Sequence, residues 1–287
     1  MTAGRSNAVA IVCGAGTLPF EVARGAVERG RRVVLFPLRG SADPAQVAGY
    51  PHHWISVGQV GRLTRLAHSE GCREMTFIGA LVRPSVKELR PDFHALRLLP
   101  RLASLFRGGD AHLLAGIAKV FEERGFRVTG AEEFAPEILV QEGALGRRQP
   151  SEADRSDIVF GLAYLRAAGS FDVGQAVIVA NRRILAVEAA EGTDQMLTRF
   201  ADLRRAGHIK VPPGAGVLVK APKPQQDRRL DLPSIGPGTV EHVTSSGLNG
   251  IAVVTGSAIV ADATRTAQLA DKADLFIVGV HDKTDSS

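Results

Sequence analysis

The sequence predicts an α/β protein in two parts: an N-terminal Rossmann-like domain with an open sheet, then a C-terminal mixed α/β (α+β) domain. Three observations carry this. Short apolar runs alternate with helical periodicity as far as Gly130. A Gly14-Ala15-Gly16 turn joins the first run to the first helix. Beyond a proline- and glycine-bearing stretch, strands and helices still mix but lose strict alternation.

Ala8–Cys13 is an apolar run ended by a glycine turn, which reads as a buried strand. Leu18, Val22 and Ala26 recur at helical spacing with Glu21, Arg24 and Glu28 opposite, so Leu18–Arg29 is a helix that Gly30 ends. Arg32–Pro37 completes a βαβ unit. A helix over 58–70 stops at Gly71, and Glu74–Gly79 follows as a strand. Asp110–Arg124 is a helix closed by Gly125, with Phe126–Gly130 the next strand. Residues 134–155, with Pro136, Gly143, Gly146 and Pro150, are the expected linking segment between domains 1–133 and 156–287. The second domain opens with a helix, Ser156–Ala168. Gln175–Ala180 and Ile184–Glu188 alternate around Asn181-Arg182-Arg183 as a hairpin does. A helix (Asp194–Arg205), a strand (Val217–Val219), a helix near Thr239–Ser245 and strands at Gly250–Thr255 and Leu275–Val280 complete it.

Composition narrows the function. The 287 residues are 45% hydrophobic, enough for a sizeable core, and the net charge of +5 favours anionic partners. Aromatics are only 5% and basic residues are scattered among acids, which argues against a nucleic-acid surface. Cys13 and Cys72 have no metal-type spacing and read as buried free thiols in a reducing compartment. The apolar N-terminal run is broken by Gly14, Gly16 and Pro19, so it is a strand rather than a signal peptide. No run approaches the ~18 apolar residues of a membrane span.

Several stretches have the chemistry of a site. Gly14, Gly16, Thr17 and Leu18 lie between a strand and a helix, where backbone N–H groups suit a phosphate. The dinucleotide fingerprint fails, because Pro19 occupies its third small position and no acid follows the second strand; only Arg39 keeps NADP open. An ordinary tight turn explains the glycines equally well. Arg83 ends another strand and has the charge to clamp a phosphate. Asp110 starts a helix, where an N-cap is its default role. Residues 91–107 form a basic amphipathic segment, either core-packing or lipid-facing. Glu188, Glu191 and Asp194 recur at three-residue intervals where a strand feeds a helix. The helix dipole alone favours such acids, yet hard cations such as Mg²⁺ use the same groups. Finally, Lys220, Lys223, Gln226, Asp227, Arg228 and Arg229 crowd a loop that Pro222, Pro224 and Pro233 stiffen. Phosphoryl chemistry needs such cations, with a carboxylate to hold a metal or orient water. The pattern fits the binding of an anionic substrate better than a redox or nucleophilic scheme, with an ion-paired surface loop as the alternative.

The strings "VEAAEGTDQML", "VKAPKPQQDRRLDLPSIG" and "GLNGIAVVTG", with "GAGTLPFEVA" and "RGGDAHLL" in the first half, resemble the UDP-2,3-diacylglucosamine pyrophosphatases of the LpxI type, of lipid A biosynthesis. The likeness covers nearly the whole chain in order. It implies two domains with the substrate held between them. It also implies hydrolysis of UDP-2,3-diacylglucosamine to UMP and 2,3-diacylglucosamine 1-phosphate (lipid X), assisted by Mg²⁺ or Mn²⁺, with water directed to the sugar-side phosphorus. On that resemblance Asp227 is the catalytic candidate and, with Glu191, a metal ligand; Glu188, Glu191 and Asp194 assist. Lys220, Lys223, Arg228 and Arg229 neutralise the diphosphate, and the Gly14–Leu18 loop receives part of the nucleotide. A cytoplasmic protein that visits the inner-membrane surface, without nucleic acid and able to form a homodimer, completes the expectation. The alternatives are an NADP-linked oxidoreductase and a non-catalytic nucleotide- or lipid-binding regulatory module.

Overall fold

The computed structural model of the chain describes residues 8–80, 110–224 and 226–282. These divide into two units: unit 1 holds residues up to Glu137 together with Asp227–Asp231, and unit 2 holds Ile138–Gln226 and the chain from Leu232. The division thus falls inside the stretch 134–155, after Glu137, and Asp227–Asp231 returns to the N-terminal unit.

In unit 1 the strands are β1 (Ala8–Cys13), β2 (Arg32–Pro37), β3 (Glu74–Ile78) and β4 (Arg127–Val128). They form a parallel sheet in the order β2-β1-β3-β4. The order reverses between β1 and β3, and ligands of open parallel sheets bind at the carboxyl ends of the strands beside such a reversal. Helices α1 (Leu18–Glu28), α2 (Pro44–Val47), α3 (Val60–Ser69) and α4 (Asp110–Glu122) accompany the sheet. Alternate strand residues supply the core: Ala10, Val12, Val34, Phe36 and Met75 pack with Leu63 and Ala67 of α3 and Phe121 of α4. Cys13 and Cys72 are buried free thiols, and burial pushes Cys13 up to about 12 and Cys72 to about 11.

Unit 2 has a six-stranded sheet, ordered β5-β12-β10-β8-β6-β7. Its strands are β5 (Gly143–Ala144), β6 (Ala176–Ala180), β7 (Arg183–Val187), β8 (Val217–Lys220), β10 (Gly250–Val254) and β12 (Phe276–Val280), while β9 (Ser234–Ile235) and β11 (Ile259–Val260) pair separately. Strands β8, β10 and β12 are parallel; β6 runs against β8, and β7 against β6. Helix α5 (Glu152–Ala168) covers one face, where Ile158, Leu162 and Leu165 meet Val177, Val179, Val217 and Val219. Helices α6 (Thr193–Arg205), α7 (Pro237–Ser245) and α8 (Ala263–Lys272) cover the other, where Met196, Phe200, Val243 and Ala270 meet Ala176, Ile178, Leu218 and Ile251. The period-2 alternation of the strands thus sorts residues to two separate cores.

Helix α5 begins earlier than its apolar spacing suggests. Ser151 caps it: the Asp154 N–H donates to Ser151 Oγ, and the Ser151 N–H donates back to Asp154 Oδ2 at 2.9 Å. Asp157, also buried, accepts from the N–H groups of Asn181 and Arg182. Those two residues have positive φ (51° and 55°), the conformation a two-residue hairpin turn requires.

At the sheet reversal of unit 1, two glycines allow two loops to cross. A Cβ on Gly14 would lie 2.5 Å from Ala80 O, and one on Gly79, whose φ is +100°, would lie 2.8 Å from Ala15 O. Gly16 has φ +94° but open space around its missing Cβ. Gly79→Ala is therefore expected to cost about 2–4 kcal/mol, from backbone strain plus overlap. Gly16→Ala costs only the backbone part, about 1–2 kcal/mol. Denaturant midpoints of the two variants measure the difference.

Candidate active site

The glycine loop after β1 is built on backbone. The Gly14 N–H donates to Ile78 O at 2.9 Å, and Ala15 and Ala80 exchange hydrogen bonds. Gly14 is buried in this crossing, so its small size serves the fold. Gly16 and Thr17 are the exposed part. Thr17 precedes α1 without capping it by its side chain; its hydroxyl donates to Glu21 Oε1 at 2.7 Å. Leu18 opens the helix, and Pro19 seals the loop beneath Gly79. The start of α1 is poor in backbone donors: Pro19 has no N–H, those of Phe20 and Glu21 donate to Thr17 O, and one carboxylate, Glu21, lies close by.

Asp227 is the most constrained acid of the expected set. Arg229 grips it with both edges of a guanidinium fork: Nε donates to Oδ1 at 3.0 Å and Nη2 to Oδ2 at 2.7 Å. The Arg229 N–H adds a third bond to Oδ1 at 3.1 Å. An ionised carboxylate offers about four acceptor sites. Among the described residues three are used, two on Oδ1 and one on Oδ2, which leaves the further site on Oδ2. The Arg229 guanidinium holds the carboxyl below its usual range, with the Arg229 N–H assisting against partial burial. Arg229 itself donates through Nη1 to Glu122 Oε1 at 2.6 Å and to Val128 O at 3.2 Å. Leu230 packs against the core of unit 1. These contacts explain why Asp227–Asp231 belongs to unit 1. Arg229, expected at the diphosphate, here donates to two carboxylates and a carbonyl. Arg228, next to it, is exposed.

The other expected residues lie in unit 2 and form a connected polar group. Across the sheet, Ala176 pairs with Lys220 of β8 and accepts from the Glu188 N–H on its other side. Residues in one row point to one face, so Glu188 and Lys220 flank the small Ala176. Two strand spacings, about 10 Å, separate their backbones. Glu188 is 7% exposed and Lys220 4%. Lys220 Nζ donates to Thr193 Oγ1 and to Ser234 O, each at 3.0 Å, tying the start of α6 to β9. Glu188 Oε2 accepts from the Gln175 N–H at 3.2 Å. The Gln175 side chain accepts from Gln226 Nε2 at 3.3 Å, and Gln226 Oε1 accepts from the Lys223 N–H at 2.9 Å. Lys223 Nζ ends the chain on Asp172 Oδ1 at 2.6 Å. Gly174 leaves room for Glu188, since a Cβ there would fall 2.5 Å from the Glu188 Cβ.

The remaining acids are nearer solvent. Glu191 pairs with Arg199 at 2.7 Å, and its own backbone N–H together with that pairing lowers it. Asp194 is exposed, with His242 Nδ1 3.8 Å away. Among the described residues no group of three or more His, Cys, Asp or Glu side chains could hold a metal ion. Arg83 and residues 91–107 lie outside the described residues, as does the side chain of Asp110, which opens α4. Glu122, Gln175, Asp172 and Thr193 escaped sequence reasoning. A helix-end glutamate beside Arg124, and polar residues before apolar strands, carry no motif of their own.

Two family models match the chain in succession: the LpxI N-terminal domain over residues 8–138 and the LpxI C-terminal domain over 141–278. A protein of Caulobacter vibrioides named UDP-2,3-diacylglucosamine pyrophosphatase LpxI is 38% identical over 270 residues, which is 94% of this chain and 96% of that one. No helix among the described residues is long and apolar enough to cross a membrane. The chain belongs to the LpxI family, both of whose domains it carries in order.

Proposed function

We propose that this protein hydrolyses the pyrophosphate bond of UDP-2,3-diacylglucosamine, releasing UMP and 2,3-diacylglucosamine 1-phosphate in lipid A biosynthesis. The observation that carries this reading is the likeness to the Caulobacter vibrioides pyrophosphatase over 94% of the chain. The geometry adds a carboxylate, Asp227, fixed in direction by its arginine and left with one acceptor site.

In this reading water attacks the sugar-side phosphorus. One P–O bond forms, the bridging P–O bond breaks, and the bridging oxygen leaves with UMP. Asp227 Oδ2 accepts a hydrogen bond from the attacking water or takes one position on a cation. A magnesium or manganese ion fits this chain as a guest of few protein ligands, because Mg²⁺ needs only one or two carboxylates when phosphate oxygens complete its shell. Asp227 is the suited ligand; Glu191, already paired with Arg199, is less so. When bound, the ion neutralises the diphosphate and makes a bound water more acidic. Arg228 adds charge beside Asp227. Lys220 braces Thr193 against Ser234 and so fixes the start of α6. Lys223 reaches phosphate only by leaving Asp172. The exposed Gly16 and Thr17 of the loop before α1 receive part of the nucleotide. Two acyl chains make the substrate a membrane lipid, at about 0.8 kcal/mol of burial per methylene. The protein therefore meets it at the cytoplasmic face of the inner membrane.

Asp227→Asn keeps the size and loses the charge. It is expected to lower kcat by about 10²-fold or more while substrate binding persists. Steady-state kinetics with a binding titration check this, and wild-type turnover removes Asp227 from the mechanism. Chelator should abolish hydrolysis and added Mg²⁺ or Mn²⁺ restore it; unchanged rates in excess chelator end the metal role. Hydrolysis in ¹⁸O-water should label 2,3-diacylglucosamine 1-phosphate, as read by mass spectrometry. Label in UMP instead assigns attack to the other phosphorus.

A further inference from the structure

We propose that Arg229 and Glu122 are positioning residues for this reaction: Glu122 and the Val128 carbonyl fix the guanidinium of Arg229, which in turn fixes the direction of the Asp227 carboxylate. The inference rests on the reading of Asp227 as a catalytic group, and it concerns the described part of unit 1.

The division of bonds on the guanidinium carries the argument. One edge, Nε and Nη2, makes the two-pronged contact with Asp227. Nη1 makes the contacts with Glu122, the last residue of α4, and with Val128 of β4. Docking residues 227–231 onto unit 1 needs only the second group of contacts, together with Leu230 in the core. The first group adds nothing to docking, since Asp227 and Arg229 are two residues apart in the same turn. That turn is already closed by the Leu230 and Asp231 N–H groups donating to Asp227 O. What the fork does is remove the rotational freedom of a carboxylate and leave one acceptor site in a fixed direction. An exposed ion pair of this kind is ordinarily worth little, because two long side chains lose entropy to form it. Here that entropy is already lost, because Glu122 and Val128 O hold the arginine from the other side. A planar fork is required, and lysine cannot supply it.

The test is kinetic and uses the full chain. Arg229→Lys keeps the charge and loses the fork; kcat should fall roughly 10- to 100-fold with KM changed less than about twofold, as displacement of a reacting group predicts. Glu122→Gln changes one exposed carboxylate at a helix end, so it tests the relay even where an arginine variant folds poorly. Its amide oxygen can still accept from Nη1, so kcat should fall by about 3- to 10-fold at unchanged KM, with the melting temperature lowered by no more than a few degrees. Arg229→Ala should regain part of its kcat in millimolar methylguanidinium and none in methylammonium. A loss that appears in KM alone, or that tracks the loss of folded protein, overturns the proposal. So does wild-type kcat in both Arg229→Lys and Glu122→Gln while Asp227→Asn is inactive. If Asp227→Asn itself turns over normally, the underlying reading of Asp227 has failed instead.

Discussion

The contact between the Arg229 fork and Asp227, with Glu122 and the Val128 carbonyl behind it, is the constraint on which the arrangement turns. It joins a carboxylate late in the sequence to a helix and a strand that precede it by about a hundred residues. A chain with this contact cannot fold as two consecutive domains. It leaves unit 1 after Glu137, re-enters it at Asp227 and leaves again after Asp231. Pro222, Pro224 and Pro233 flank the re-entering residues, and fixed φ angles there reduce the conformational entropy that ordering the loop must overcome. The catalytic candidate thus comes from the C-terminal half of the sequence and owes its orientation to the N-terminal half.

Unit 2 solves a different problem with strand register. Burying Glu188 and Lys220 is costly unless polar partners replace water. The partners are local. Lys220 finds a hydroxyl and a carbonyl, and Glu188 finds a backbone N–H on the neighbouring strand. Both residues face the same side only because β7, β6 and β8 are aligned as they are. A slip of one residue in either pairing would send one charge to the α5 face, among Ile158, Leu162 and Leu165. The hairpin turn held by Asp157 sets the pairing of Ala180 with Arg183, and a one-residue shift in register between Val179 and Ile178 then brings Glu188 opposite Ala176. A buried carboxylate under α5 therefore helps place a different carboxylate on the opposite face of the sheet.

Much of this was legible in the residues. The strands were, because buried parallel strands are short apolar runs between turn signals, and β1, β2, β8 and β10 are such runs. The polar loop that holds Asp227 was, through the basic and proline-rich string around it. Helix starts were less so. The capping box that opens α5 uses an aspartate where glutamate or glutamine is the usual signal, so the apolar spacing was followed and the start fell short. Helix α8 packs Thr266 and Ala270 fully and Ala263 and Leu269 in part, a helical spacing the sequence carries but in small residues that do not stand out as an apolar run. The return of residues 227–231 to unit 1 was hidden, because it depends on Arg229 meeting Glu122, a pairing across 107 positions with no local trace. The intrachain partners of Arg229 and Lys223 were hidden for the same reason. Sequence counts charges, and the structure shows Arg229 and Lys223 bonded to carboxylates of the chain itself.

The bond to Arg229 also limits what Asp227 can do. A carboxylate held below its usual range by a guanidinium stays ionised at neutral pH, and for the same reason it is a weak base. General-base catalysis works best with a group whose pKa lies near the working pH, and the guanidinium moves this one the other way. Were deprotonation of water the task, the fork would hinder it. Were direction and constant charge the task, the fork would supply both. Asp227 is therefore suited to aim a water or to hold a cation, and the proton released in hydrolysis leaves through the phosphate products or the solvent. The arginine that makes the carboxylate a poor base is what makes it a precise acceptor.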